Sequence, residues 1–125
     1  MLDHISIGVR DLAPTQKFYD AALAPLGYTR GYGDATQIGY GAKKLRFWAA
    51  VADRPVPADM ESGLHFCFGA PSRTSVDAFH AAALKAGGKD NGAPGLREKY
   101  GPNYYAAFVI DPDGYRLEAY CSAEA

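Results

Sequence analysis

An α+β fold made of two tandem βαβββ modules is what this sequence predicts, and three observations predict it. First, the chain repeats itself. Setting His4 on His65 also brings Gly8 onto Gly69, Phe18 onto Phe79, Ala21-Ala22-Leu23 onto Ala82-Ala83-Leu84 and Gly27 onto Gly88, with no gap. Second, each copy has the same physical grammar, a strand with period-two alternation followed by a helix with 3-4 spacing and then a glycine. Third, Asp111-Pro112-Asp113-Gly114 supplies a strong reversal before the last strand, with Pro at the second turn position and Gly where positive φ is wanted. The expected architecture is one domain over 1–125 with a cupped eight-stranded mixed sheet and its helices on the outer side. Module one spans 1–51, a Pro-rich linker 52–61, and module two 62–125.

In the first copy Ile5, Ile7 and Val9 alternate with Ser6 and Gly8, which predicts a strand. Asp11 suits an N-cap, and Pro14 is tolerable in the first helical turn, where no amide partner is lost. Thr15, Phe18, Tyr19, Ala22, Leu23 and Leu26 make one apolar stripe, which Pro25 and Gly27 end. Three short strands are expected around 27–32, 35–40 and 44–51, separated by Gly-rich turns. In the second copy Leu64, Phe66 and Phe68 alternate with His65, Cys67 and Gly69. Ser72 can cap a helix carrying Val76, Phe79, Ala83 and Leu84, which Gly87-Gly88 ends. A long Gly-, Pro- and Asn-rich loop is expected over 89–103, as a rim or lid over a cavity. Strands follow from Tyr104 to Ile110 and from Tyr115 to Cys121.

Composition narrows the function classes. A chain of 125 residues has room for one core. Its formal charge of −1 gives no basic excess for nucleic acid or an anionic membrane surface. No apolar run approaches the ~20 residues of a membrane span. The N-terminus reads as a strand rather than a leader, and Cys67 and Cys121 read as reduced thiols, so a cytoplasmic protein is expected. Nine Tyr, six Phe and one Trp suit a cavity that is apolar in body and polar at its tips, hence a small-molecule partner.

Strand parity then selects candidate ligands. His4 stands opposite in parity to Ile5 and Ile7, His65 to Phe66 and Phe68, and Glu118 to Leu117 and Ala119. If the apolar sets face the helices, His4, His65 and Glu118 face the concave side together. Two imidazoles and a carboxylate suit one divalent transition metal with open positions. The third histidine, His80, lies on a helix flank and reads as an ordinary packing or surface residue.

The opening LDHISIGVRDL, the helix with Phe18-Tyr19, the Leu26-Gly27 stop, GLHFCF and the closing DPDGYRLEAY together resemble the vicinal oxygen chelate superfamily of glyoxalases, bleomycin resistance proteins and extradiol dioxygenases. The resemblance covers essentially the whole chain. It implies metal ligands on the first and last strands of each module, and His4, His65 and Glu118 match three of those four slots. The fourth falls at Arg46 or Trp48, neither of which can ligate. That departs from the glyoxalase I pattern and looks more like the extradiol enzymes. The implied activity is that of a metal-dependent lyase, isomerase or dioxygenase using Fe, Mn, Zn, Ni or Co. It would act on a small molecule through bidentate oxygen coordination, stabilising an enolate or catecholate. The alternative is a metal-free protein that sequesters a drug or antibiotic.

Arg46, Trp48, Arg97, Tyr100, Tyr104, Tyr105 and Arg116 are the candidate substrate-binding residues, as aromatic walls or as cations for a carboxylate or enolate. Open strand edges predict a homodimer, and the linker allows modules to exchange between chains, with His4 of one near Glu118 of the other.

Overall fold

Residues 1–124 are described by a computed structural model, and they run through the same element order twice. Module one comprises β1 (Ile5–Val9), α1 (Leu12–Leu23), β2 (Thr29–Gly33), β3 (Gln37–Gly41) and β4 (Leu45–Val51). Module two comprises β5 (His65–Gly69), α2 (Arg73–Lys85), β6 (Lys89–Leu96), β7 (Tyr105–Ile110) and β8 (Arg116–Cys121). The strand orders are β1-β4-β3-β2 and β5-β8-β7-β6. In each module the first strand pairs in parallel with the last, and the remaining pairs are antiparallel. The helical crossover makes that parallel pair possible, since a tight hairpin can join only antiparallel strands.

Local signals set both helices. The Asp11 side chain accepts from the Ala13 amide at the start of α1. At α2 the Ser72 and Ser75 side chains each accept from the other's backbone amide, a reciprocal capping box. After α1, Pro25 lies in a short 3-10 turn, and Gly27 ends it at φ 89°. The stripes then bury as their spacing demands. Phe18, Tyr19, Ala22 and Leu23 of α1 share a core with Ile7, Val9, Phe47 and Ala49, and Val76, Phe79 and Ala83 of α2 with Ala107, Val109, Leu117 and Ala119. The core is continuous across both modules, because Phe47 meets Phe66 and Phe68 edge-on at 6.1 and 5.2 Å.

The loop expected over 89–103 contains a strand. β6 pairs with β7 from Lys89 to Leu96, with register shifts at Asp90/Gly92 and Gly92/Gly95. Its Gly and Pro content signals a bulged edge strand, a place where Pro94 forfeits no ladder bond on the solvent side. Only 97–104, with a 3-10 turn at Glu98–Tyr100, is left as a connection. The eight strands also form two separate hydrogen-bonded sheets, with β1 and β5 each at an edge.

The DPDG turn locks the modules together. The Tyr19 hydroxyl donates to Asp111 Oδ2 at 2.5 Å, while Asp111 Oδ1 accepts from the amides of Asp113 and Tyr115. Arg10 pairs with Asp113 at 3.0 Å, and the Tyr115 hydroxyl donates to the Gly8 carbonyl at 2.7 Å. Among the described residues no helix is long and apolar enough to cross a membrane.

Candidate functional site

Glu118 sits mid-way along β8 on the face opposite Leu117 and Ala119, and is only 3% exposed. A carboxylate that deep needs partners. His65 Nε2 lies 3.1 Å from its Oε1, and the Tyr104 hydroxyl donates to its Oε2 at 2.5 Å. Tyr104 is fixed in turn by stacking on Tyr120, with ring centroids 4.0 Å apart. Burial, then the bond to Glu118, holds the Tyr104 hydroxyl well above its ordinary pKa, so it remains a donor at neutral pH. Cys67 is the register partner of Glu118 on β5. Desolvation, then the Glu118 charge, pushes its thiol up to about 12.

His65, Tyr104 and Glu118 line a cavity of about 450 Å³ whose walls also include Leu64, Asn91, Tyr100, Phe108 and Arg116. Every lining residue lies at or after Met60, so module two and the end of the linker build it alone. Tyr100, from the connection after β6, stands 5.3 Å from the Tyr104 ring and forms part of the rim beside His65.

The remaining candidates are dispersed. His4 is on the open side of module one, with Nδ1 2.8 Å from Asp3 Oδ1. Asp3 also pairs with Lys44, and these two partners hold its carboxyl down at about 2. Arg46 donates to the Asp3 carbonyl at 2.9 Å and borders a second, apolar cavity of about 740 Å³ between the modules. Trp48 packs against Tyr32 at 5.7 Å on the same open face as His4. Arg97 donates to the carbonyls of Ala93 and Gly95, which secures the bulged β6, and lies over Phe108. Tyr105 points to the helix side, donating to Asp77 at 2.6 Å beneath Arg73. His80 pairs with Asp90 at 2.9 Å on the flank of α2.

Among the described residues no three His, Cys, Asp or Glu side chains gather to hold a metal within one chain. Two do so pairwise. Donors each about 2.1 Å from one ion and at right angles stand about 3.0 Å apart, and His65 and Glu118 are separated by 3.1 Å. Tyr104 on the far carboxylate oxygen is the outer partner that orients a ligating carboxylate. The pair therefore fits half of a divalent-metal site, and a further donor must come from elsewhere.

Three cavity features escaped the reading of the sequence: Asn91, Phe108 and the stacking role of Tyr120. Parity on β7 carries the signal for one of them. Phe108 is the register partner of Glu118, so it shares that face with Tyr104, while Tyr105 must take the other.

The profile of the Glyoxalase/Bleomycin resistance protein/Dioxygenase superfamily matches residues 1–119. Comparison with curated proteins returns no match. Among solved structures, a glyoxalase/bleomycin resistance protein from Albidiferax ferrireducens T118 is 34% identical, with TM-score 0.83, covering 95% of this chain and 97% of its own. A glyoxalase-related enzyme from Fulvimarina pelagi is 16% identical, with TM-score 0.76 and coverages of 97% and 87%. The fosfomycin resistance protein FosX from Listeria monocytogenes is 17% identical, with TM-score 0.71 and coverages of 97% and 92%. The last two share the fold. With a profile match over nearly its full length and the same paired modules, the chain belongs to the glyoxalase/bleomycin resistance protein/dioxygenase superfamily.

Proposed function

We propose that this protein is a divalent-metal-dependent lyase, isomerase or dioxygenase that binds a small molecule through two neighbouring oxygens. The observation that carries this reading is the buried Glu118, held between His65 and Tyr104 on a cavity wall. His65 and Glu118 would hold the ion together with His4 of a second copy, in a homodimer whose module-one face closes over the partner's module two. Support for that assembly lies in the repeat, which puts His4 and His65 at equivalent positions, and in the exposure of both histidines in the single chain. A bound ion supplies Lewis-acid stabilisation of negative charge on substrate oxygens and orients them.

The chain's own residues do the rest. Tyr104 keeps Glu118 oriented, and Leu64, Phe108 and Tyr100 offer an apolar surface for the body of the bound molecule to pack on. Glu118 is the one carboxylate among the described residues lining this cavity, so no second carboxylate is placed to move a proton. That favours chemistry without a dedicated carboxylate base.

The test is metal content of protein purified without a histidine tag, followed by competitive titration with Mn(II) and Zn(II). Glu118→Gln should weaken binding at least tenfold, because a neutral amide does not offset the ion's charge. His80→Asn should leave it unchanged. If the wild-type protein takes up no metal above background, the metal reading is withdrawn. The metal-free ligand-binding reading, favoured by the absence of three gathered donors in one chain, then stands.

A further inference from the structure

We propose that Arg116 is the anchor for a carboxylate group, so that the molecules this cavity accepts are small acids with an apolar or aromatic body. Arg116 occupies β8 two residues before Glu118, on the same face, and lines the module-two cavity. Its Nε is buried and has no hydrogen-bond partner. A guanidinium donor closed off from water and left without an acceptor is an expensive arrangement for a protein to keep. Glu118 does not relieve it, since its two oxygens are turned to His65 and Tyr104. Arg97, which lies over the ring of the wall residue Phe108, already donates to the carbonyls of Ala93 and Gly95. Arg116 is the cation whose bonding capacity the fold does not use.

The chemistry of the site selects the ligand. A guanidinium edge presents two parallel N–H groups, which match the two oxygens of a planar carboxylate once the side chain turns its Nε edge to the cavity. Arg116 supplies one positive charge and the neighbouring Glu118 repels anions, so a monoanion is favoured over a dianion such as a phosphate monoester. Leu64, Phe108, Tyr100 and Tyr104 give the wall an apolar and aromatic stretch, with Asn91 as a polar member. Two residues along a strand span about 7 Å, so an acid held at Arg116 extends its next atoms towards the His65–Glu118 pair. This deepens the reading above by naming the substrate class, but binding at Arg116 is separable from metal.

The experiment is calorimetric titration of the full-length protein, as purified, with benzoate and with the neutral isosteres benzamide and benzyl alcohol. Wild type should bind benzoate at least tenfold more tightly than either isostere. Arg116→Met should erase that preference by weakening benzoate at least tenfold, with isostere binding and the circular dichroism spectrum unchanged, and Arg116→Lys should recover part of it. Glu118→Gln should bind benzoate more tightly than wild type, because it removes a negative charge beside the bound anion. If wild type binds benzoate no better than benzamide, or binds neither, the proposal is overturned without recourse to any variant. It also fails if Arg116→Met binds benzoate as wild type does. Loss of benzoate binding in Glu118→Gln would send the carboxylate to the ion instead, overturning the Arg116 assignment while favouring the metal reading. Arg116-dependent benzoate binding in a protein that takes up no metal would do the reverse.

Discussion

Asp111 and Glu118 are both buried carboxylates on the last hairpin, and they serve different ends. Glu118 faces the cavity. Asp111 faces the junction between modules, where Tyr19 and two backbone amides bond to it. Burial outweighs those bonds and pushes its pKa from 3.8 up to about 6. A folded-state pKa above the unfolded one means that the stabilising contribution is complete below 3.8 and is lost as pH rises through 6. A shift of about two units corresponds to at most about 3 kcal/mol. Asp111→Asn keeps an oxygen for the two amides but cannot ionise. Relative to that variant, wild type should lose about 2–3 kcal/mol of stability between pH 4 and pH 7, read by urea unfolding at each pH. Parallel stability profiles for the two proteins would remove Asp111 as the titrating group.

At the scale of single elements, the reversal before β8 and the start of α2 carry measurable free energy. Gly114 has φ 99°, and a Cβ there would sit 2.8 Å from the Ala58 carbonyl oxygen, where the linker passes. Gly114→Ala meets both the left-handed backbone and that contact, and should cost about 2 kcal/mol in thermal unfolding. Ser72→Ala removes one arm of the capping box and should cost about 1 kcal/mol. An unchanged melting temperature in either variant would contradict these assignments. Both features were legible in the sequence because each depends on a few adjacent residues. β6 was not, because Lys89–Leu96 has no alternation of its own. Its strand character comes from pairing with β7 across two bulges, a non-local interaction that Gly92 and Gly95 accommodate.

At the scale of the whole molecule, the proposed homodimer predicts complementation between its two chains. If His4 of one chain completes the His65–Glu118 pair of the other, His4→Ala and Glu118→Gln homodimers should each bind metal weakly. A mixed dimer of the two should regain one intact site in two, giving about half the wild-type metal content. A dimer of wild type with the chain carrying both changes should regain none, since each of its sites contains one defect. Calorimetry on mixed dimers isolated by two affinity tags other than polyhistidine checks this. The reverse pattern, half the metal in the dimer of wild type with the doubly changed chain and none in the other, would place all the ligands within one chain.

The sequence by itself determined the modules, the helix caps, the DPDG reversal and the face on which Glu118 lies. All of these follow from periodicity, turn chemistry and internal repetition within short stretches of chain. Parity could say that His4, His65 and Glu118 occupy corresponding faces, but not how far apart those faces stand. The tertiary structure decided that His65, Tyr104 and Glu118 meet while His4 stays with Asp3, since the two modules share a core through their helix-bearing sides and leave their other faces open. It also decided between Tyr104 and Tyr105, neighbours in sequence that a pleated strand sends to the cavity and to α2 respectively. Distance between elements far apart in sequence depends on how cores pack, and local patterning carries no record of it.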